Sequence, residues 1–165
     1  MKQKQVFLMS GPPGSGKSTW IKSQLVPGAE WISRDAVRFA IISDGEEYFS
    51  HEDDVFDTFI NYINQTLDDE NIHTIYIDAT HLNKRARDNV LRLIHTDKIE
   101  TLNSVCFITP LEVCLERNAQ RTGRALVPDT VIKNMFKSYT IPNKETESFN
   151  HIYTIDENSE MKEVL

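Results

Sequence analysis

The sequence is short of the residues that mark several common protein classes. It has two cysteines in 165 residues, Cys106 and Cys114, set in apolar surroundings and without metal-ligand spacing. That argues against a disulfide framework or a zinc module and fits small buried hydrophobes in a reducing compartment. No apolar run approaches membrane-spanning length, and the one after the basic start "MKQKQVFLMSGPP" is too short for a signal peptide. A cytoplasmic protein with no membrane partner is expected. Positive charge is scarce as well: 18 Lys and Arg face 25 Asp and Glu, a net charge of -7. A broad basic surface for nonspecific duplex binding is therefore missing. Internal repeats and low-complexity tracts are absent.

What remains is an ordinary globular composition, 39% hydrophobic and 26% charged, long enough for one domain with a real core. We expect a single domain over residues 1–165, with its core at about 5–155 and a polar C-terminal tail. The charge is uneven. Residues 1–80 carry 6 basic and 13 acidic groups, whereas residues 81–165 carry 12 of each. Much of the excess lies in "DGEEYFSHEDDVFD", residues 44–57, which reads as a solvated face. It leaves room for a small basic pocket that takes one strand end.

Apolar runs alternate with helical patterns. "VFLMS", "EWIS", "HTIYIDA", "SVCFIT" and "HIYTI" read as strands. Helices are expected from about Lys17 to Leu25, through "RDAVRFAII", through "VFDTFINYINQTL", through "KRARDNVLRLIH" with Asn83 as cap, through "LEVCLERNAQR", and from Pro128 to about Tyr139. This alternation predicts an α/β fold, a doubly wound parallel sheet of about five strands. Ligands of such sheets bind at the carboxyl ends of the strands.

The first strand runs into "GPPGSGKST", where Gly11, Gly16, Lys17 and Ser18 meet the pattern G-x-x-x-x-G-K-[ST]. Glycines let the backbone curl until several N–H groups converge, and the amino end of the following helix adds positive potential. Residues Gly11, Pro12, Pro13, Gly14, Ser15, Gly16, Lys17, Ser18 and Thr19 are therefore the expected ATP cradle. Lys17 would bridge the β- and γ-phosphates, and the Ser18 hydroxyl would ligate Mg2+.

Three further strand ends or helices carry candidates. In "ISRDAVR", Asp35 and Arg38 are three apart on a helix, with Cβ atoms about 5–6 Å apart. Asp35 can take the proton of an attacking hydroxyl and Arg38 can hold an anionic group of the same acceptor. The alternative is a surface ion pair. The third strand ends in Asp78, placed like a Walker B carboxylate to orient Mg2+-bound water, although aspartate is also a common turn residue. "CLERNAQRTGR" sets Arg117 and Arg121 four apart, with Arg124 beyond a glycine. Together they suit a lid that closes over transferring phosphates, or else a solvated helix.

Taken together, "GPPGSGKSTW", "ISRDAVR", "YIDATHLN" and "CLERNAQRTGRALVPDTVIKNMFKSY" resemble the kinase module of phage and bacterial polynucleotide 5′-kinases over about residues 5–155. The resemblance implies an adenylate-kinase-like P-loop kinase with a helical arginine lid. It implies transfer of the ATP γ-phosphate to the 5′-hydroxyl end of DNA or RNA. On it, Asp35 is the general base, Arg38 grips the phosphate adjoining that hydroxyl, and Thr80 joins the acceptor site. Arg117 and Arg121 act in the lid, with Arg124 a third. One departure is His81, which stands where family members commonly have asparagine. Relatives also include small-molecule and zeta-toxin-like kinases of sugar nucleotides, so these remain an alternative acceptor class. A nucleotide switch or ATPase that transfers nothing is the third reading. An acceptor base and an arginine lid favour a kinase over it.

Overall fold

The computed structural model describes residues 4–165, and its sheet explains where the chain places its chemistry. Five strands run parallel: β1 (Lys4–Ser10), β2 (Ala29–Ser33), β3 (Thr74–Asp78), β4 (Ile99–Phe107) and β5 (His151–Ile155). A sixth, β6 (Met161–Glu163), pairs antiparallel with β5, giving the order β2-β3-β1-β4-β5-β6. Seven helical segments join them: α1 (Lys17–Gln24), α2 (Arg34–Ile41), α3 (Glu52–Asp68), α4 (Lys84–Leu91), a short turn at Thr96–Lys98, α5 (Leu111–Ala119) and α6 (Asp129–Ser138), with a second short turn at Gly123–Ala125 counted as part of the α5–α6 connection.

Strand alternation sends the two faces into different cores. Val6, Leu8, Ile32, Ile75, Ile77 and Cys106 point to the face covered by α3 and α4, where Phe59, Ile63, Leu67 and Val90 meet them. Met9, Tyr76, Val105, Phe107 and Ile155 point to the other face, under Trp20 and Ile21 of α1. Helices on both faces force buried strands, which is why these runs are nearly all apolar. Because β1 lies between β3 and β4, the connections diverge there, and a crevice opens at its carboxyl end.

Several boundaries move from those the sequence suggests, each for a tertiary reason. β4 begins at Ile99 because Thr101 and Asn103 pair with Gln5 and Phe7 of β1 despite their polarity. α4 stops at Leu91 because Asn64 of α3 takes over the backbone beyond it, donating to the Leu93 carbonyl (3.1 Å) and accepting from His95 N (2.8 Å). α5 stops at Ala119 because the buried Asn118 side chain turns to the Val127 backbone, donating at 2.6 Å and accepting at 3.1 Å. Arg121 therefore lies beyond the helix that was expected to hold it in line with Arg117. The polar tail adds a strand to the sheet. A turn at Asp156–Glu160 folds it back as β6, whose side chains are all exposed; backbone pairing holds it, with one side-chain contact from Glu163 to His151 (2.6 Å). Among the described residues no helix is long and apolar enough to cross a membrane.

One buried ion pair ties the crevice to the rest of the fold. Arg87 of α4 is fully buried and donates to both Glu147 carboxylate oxygens (2.7 and 3.1 Å), to the His81 carbonyl (3.1 Å) and to the Thr140 carbonyl (2.9 Å). It so joins the loop after β3 to the segment leading into β5. Removing one partner of such a pair strands the other charge in a poorly solvated place. Arg87→Ala should lower stability by about 3–5 kcal/mol in chemical denaturation. A loss below about 1 kcal/mol would show that the pair does not hold these segments.

Candidate active site

The loop between β1 and α1 closes around its own lysine. Gly14 (φ 79) passes so close to α5 that a Cβ there would sit 2.7 Å from the Cys114 carbonyl oxygen. Gly16 (φ 104) makes the left-handed turn into α1. Both positions require glycine. The Lys17 ammonium donates to the carbonyls of Gly11 (2.7 Å) and Pro12 (2.9 Å). Burial lowers its pKa, and Asp78 and Asp35 oppose that shift. The loop is braced from outside as well. The Gly11 N–H donates to the Thr80 carbonyl (2.9 Å), the Thr109 hydroxyl to the Ser15 carbonyl (2.8 Å), and Arg117 to the Gly14 carbonyl (3.2 Å).

Ser18 and Asp78 come together at the end of β3. The Ser18 hydroxyl lies 3.4 Å from Asp78 Oδ2, which also accepts from the Trp31 indole at 3.0 Å. Asp78 is buried, and that burial raises its pKa against the pull of Lys17. A hydroxyl and a carboxylate are hard oxygen donors of the type Mg2+ prefers, so these residues fit that ion. No group of three or more His, Cys, Asp or Glu forms a metal cage among the described residues. Ser18 and Asp78 would thus supply part of a shell completed by phosphate and water.

The cleft in front of the loop has a volume of about 370 Å³, and Pro13, Thr19, Asp35, Thr80 and Arg121 are among the residues that line it. Asp35 stands half-exposed at its mouth, accepting from the Arg38 guanidinium and the Tyr48 hydroxyl on one oxygen. The i,i+3 contact anticipated between Asp35 and Arg38 is present, but it is no surface pair. Arg38 is 4% exposed, and Glu52 grips it with both carboxylate oxygens (2.8 and 3.1 Å). Glu52 opens α3, so the pair fastens α2 to α3. It also holds Arg34 at 3.0 Å.

The three lid arginines separate. Arg121 faces the cleft. Arg117 lies behind the loop, against the Gly14 carbonyl. Arg124, expected at the nucleotide, instead donates to the Phe39 (3.3 Å) and Ile42 (3.1 Å) carbonyls at the end of α2 and stacks over the Phe39 ring. Unpaired carbonyls at a helix carboxyl end attract cations, which explains that position. Sequence reasoning missed Arg34, Trp31, Tyr48, Phe49 and Glu52. The aromatic pair Tyr48-Phe49 inside an acidic run was the one local signal that the run is more than a solvated face.

A family described as an AAA domain matches residues 6–142. The chain belongs to that family. No curated protein matches it significantly. Its AAA domain has a kinase-type P-loop fold, which binds nucleotides, and it resembles several solved structures. A fungal RNA kinase aligns at a TM-score of 0.64 and 16% identity over 94% of this chain and 75% of that one. The Pnkp1/Rnl/Hen1 RNA repair complex aligns at 0.69 and 20%, over 84% of this chain but only 44% of that one. A gluconokinase from Sinorhizobium meliloti 1021 aligns at 0.55 and 17%, over 94% and 84%. At these identities the likeness establishes the fold and not the substrate.

His81, which stands where the resembling family commonly has asparagine, is buried under the end of β1. It is 3% exposed with φ 37, a left-handed conformation that asparagine tolerates better than most residues. Its Nδ1 pairs with the Met9 carbonyl (2.6 Å), while Nε2 has no hydrogen-bond partner. Burial pushes its pKa down to about 4, opposed by the Met9 contact and reinforced by Arg34, Arg87 and Lys17. The unfolded chain binds this proton near pH 6.5 and the folded one only near pH 4. Stability from this residue is complete above about pH 6.5 and falls as pH drops toward 4, by up to about 3 kcal/mol. His81→Asn should flatten that part of the curve. Denaturation of parent and variant at pH 7 and pH 4.5 checks this, and equal acid losses in both would refute it.

Proposed function

We propose that this chain is an ATP- and Mg2+-dependent kinase that phosphorylates the 5′-hydroxyl end of a nucleic acid. One observation carries the reading. Asp35 stands half-exposed at the mouth of a cleft that Lys17 and Ser18 also line, with its orientation set by Arg38 and Tyr48. An acceptor base there, together with an arginine that faces the cleft from beyond α5, favours a kinase over a switch or ATPase. The likeness to an RNA kinase and to an RNA repair complex supports a nucleic-acid acceptor.

Each residue then has a task. Lys17 exchanges its two carbonyl partners for phosphate oxygens. Ser18 and Asp78 hold the ion, which when bound offsets the charge on the phosphates. Asp35 accepts the proton of the 5′-hydroxyl as that oxygen bonds to the γ-phosphorus. The bond from phosphorus to the β,γ-bridging oxygen breaks, and ADP leaves. Arg121 faces the cleft and neutralises charge spread over the transferring group, and Arg117 steadies the loop from behind. A second reading, a kinase of a small neutral or sugar-nucleotide acceptor, is favoured by the near-complete engagement of Arg38 by this chain's own carboxylates.

Two substitutions test the assignment on a 5′-hydroxyl oligonucleotide. Lys17→Ala should abolish transfer while leaving the fold intact, since the ammonium contacts only loop carbonyls. Equal turnover in variant and parent at saturating ATP and Mg2+ would refute it. Asp35→Asn should keep ATP affinity but reduce turnover by at least about 10²–10⁴-fold, because an amide takes no proton. If ATP affinity collapses instead, Asp35 serves the nucleotide and the proton acceptor lies elsewhere.

A further inference from the structure

The two arginines of α2 differ in what they have left to offer a ligand. A guanidinium carries five N–H donors. Arg38 directs Nε and one Nη2 donor to Glu52 (2.8 and 3.1 Å) and its Nη1 donors to Asp35 and to the Tyr48 oxygen (2.6 Å). Its side chain is 5% exposed, with the Tyr48 ring at 4.1 Å and the Phe49 ring at 5.7 Å. A single Nη2 donor is left over, so taking up a phosphate with two or more bonds would require Arg38 to release Glu52, Asp35 or Tyr48. Releasing Glu52 leaves that carboxylate to Arg34 alone, and releasing Asp35 frees the very base it orients.

Arg34 lines the same cleft under different terms. Its side chain is 27% exposed and makes one hydrogen bond, from Nη2 to Glu52 Oε2 at 3.0 Å. Its Nε is buried without a hydrogen-bond partner, and its guanidinium lies 5.2 Å from the Phe56 ring centre. The stacking restricts the planar group without using its donors. Arg34 also directly precedes Asp35, so one element carries both an anion contact and a proton acceptor. Its charge reaches the carboxyl end of β3, where it disfavours protonation of His81. Thr80 lines the cleft at that same strand end.

We propose that Arg34, rather than Arg38, holds the acceptor's phosphate next to the attacking hydroxyl, and that Arg38 is a positioning residue for Asp35. This inference rests on the polynucleotide reading. A nucleic-acid end presents a 5′-hydroxyl and, one sugar away, a 3′-phosphate. Asp35 takes the proton of the first, and the spare donors of Arg34 meet the second. Glu52 keeps Arg38 neutralised and limits Arg34 to a single contact, so the acceptor anion need not break the α2–α3 clamp.

The test compares kcat/KM for a nucleoside and its 3′-phosphate in the parent, in Arg34→Ala and Arg34→Gln, and in Arg38→Ala. Thermal melts of each variant accompany the assays. The parent should prefer the phosphorylated acceptor. Both Arg34 variants should cut that preference about 10–100-fold, chiefly through KM, as expected for one charged hydrogen bond. Arg38→Ala should lower kcat on both acceptors alike and leave their ratio unchanged. Calorimetric binding of a 5′-deoxynucleoside 3′-phosphate, which lacks the attacking hydroxyl, should weaken by the same factor in the Arg34 variants. A preference that survives in them, or that disappears in Arg38→Ala, overturns the inference while the polynucleotide reading stands. A parent that uses oligonucleotides without favouring the 3′-phosphate does the same. A parent that phosphorylates only sugar nucleotides removes the reading and the inference together.

Discussion

A guanidinium that is 4% exposed must have its charge answered by the protein, and at Arg38 the answer organises the Asp35 side of the cleft. Glu52 supplies a two-point grip, Asp35 and Tyr48 close a third side, and the Tyr48 ring lies over the cation. The pair raises the arginine pKa despite the opposing effect of burial, and the same contacts lower that of Glu52. Both groups therefore stay charged across the physiological range. Because Glu52 opens α3 while Arg38 lies on α2, a helix–helix junction and the orientation of the proposed base become one interaction. Tyr48 is tied to the same oxygen of Asp35, and its own ionisation is pushed well up by burial and by that carboxylate. It remains a hydrogen-bond donor.

The opposite side of the cleft depends on close packing instead of charge. Gly14 lets the cradle lie against α5, and Asp78 is held by the Trp31 indole from the neighbouring strand. The Tyr139 hydroxyl reaches the Ser10 carbonyl (3.2 Å) and the Phe107 carbonyl (2.9 Å), where β1 and β4 end. Arg87 braces the β3 end from below. The cradle is thus fixed by the sheet, while the Asp35 side of the cleft is fixed by two helices that belong to one face of it.

That division also explains what could be read in the sequence. The cradle was legible because its requirements are local: glycine at left-handed turns, then Lys17 and Ser18 at a helix start. Asp78 was legible as the end of an apolar strand. Arg38 was legible only in half, since Asp35 is one turn away but Glu52 is 14 residues on, inside a run that looked like solvated surface. The end of the helix before Arg121 and the contacts of Arg124 were hidden for a related reason. Spacing cannot reveal that Asn118 ends α5 early by bonding to the Val127 backbone, nor that the α2 carboxyl end draws Arg124 away from the cleft. β6 was missed because its three exposed residues contribute backbone pairing and no apolar pattern. Local chemistry shows in sequence; pairing across the fold does not.

The central claim is that Asp35 faces a hydroxyl on a nucleic-acid end, and acceptor choice tests it most directly. The measurement is transfer of γ-labelled phosphate from ATP, with Mg2+, to a matched panel of 5′-hydroxyl oligonucleotides, nucleosides, sugar nucleotides and hexose acids. Label should accumulate on the 5′ ends of the oligonucleotides, with kcat/KM above that for every small acceptor. Label found on a sugar nucleotide or a hexose acid but not on oligonucleotides, or released only as inorganic phosphate, would contradict it.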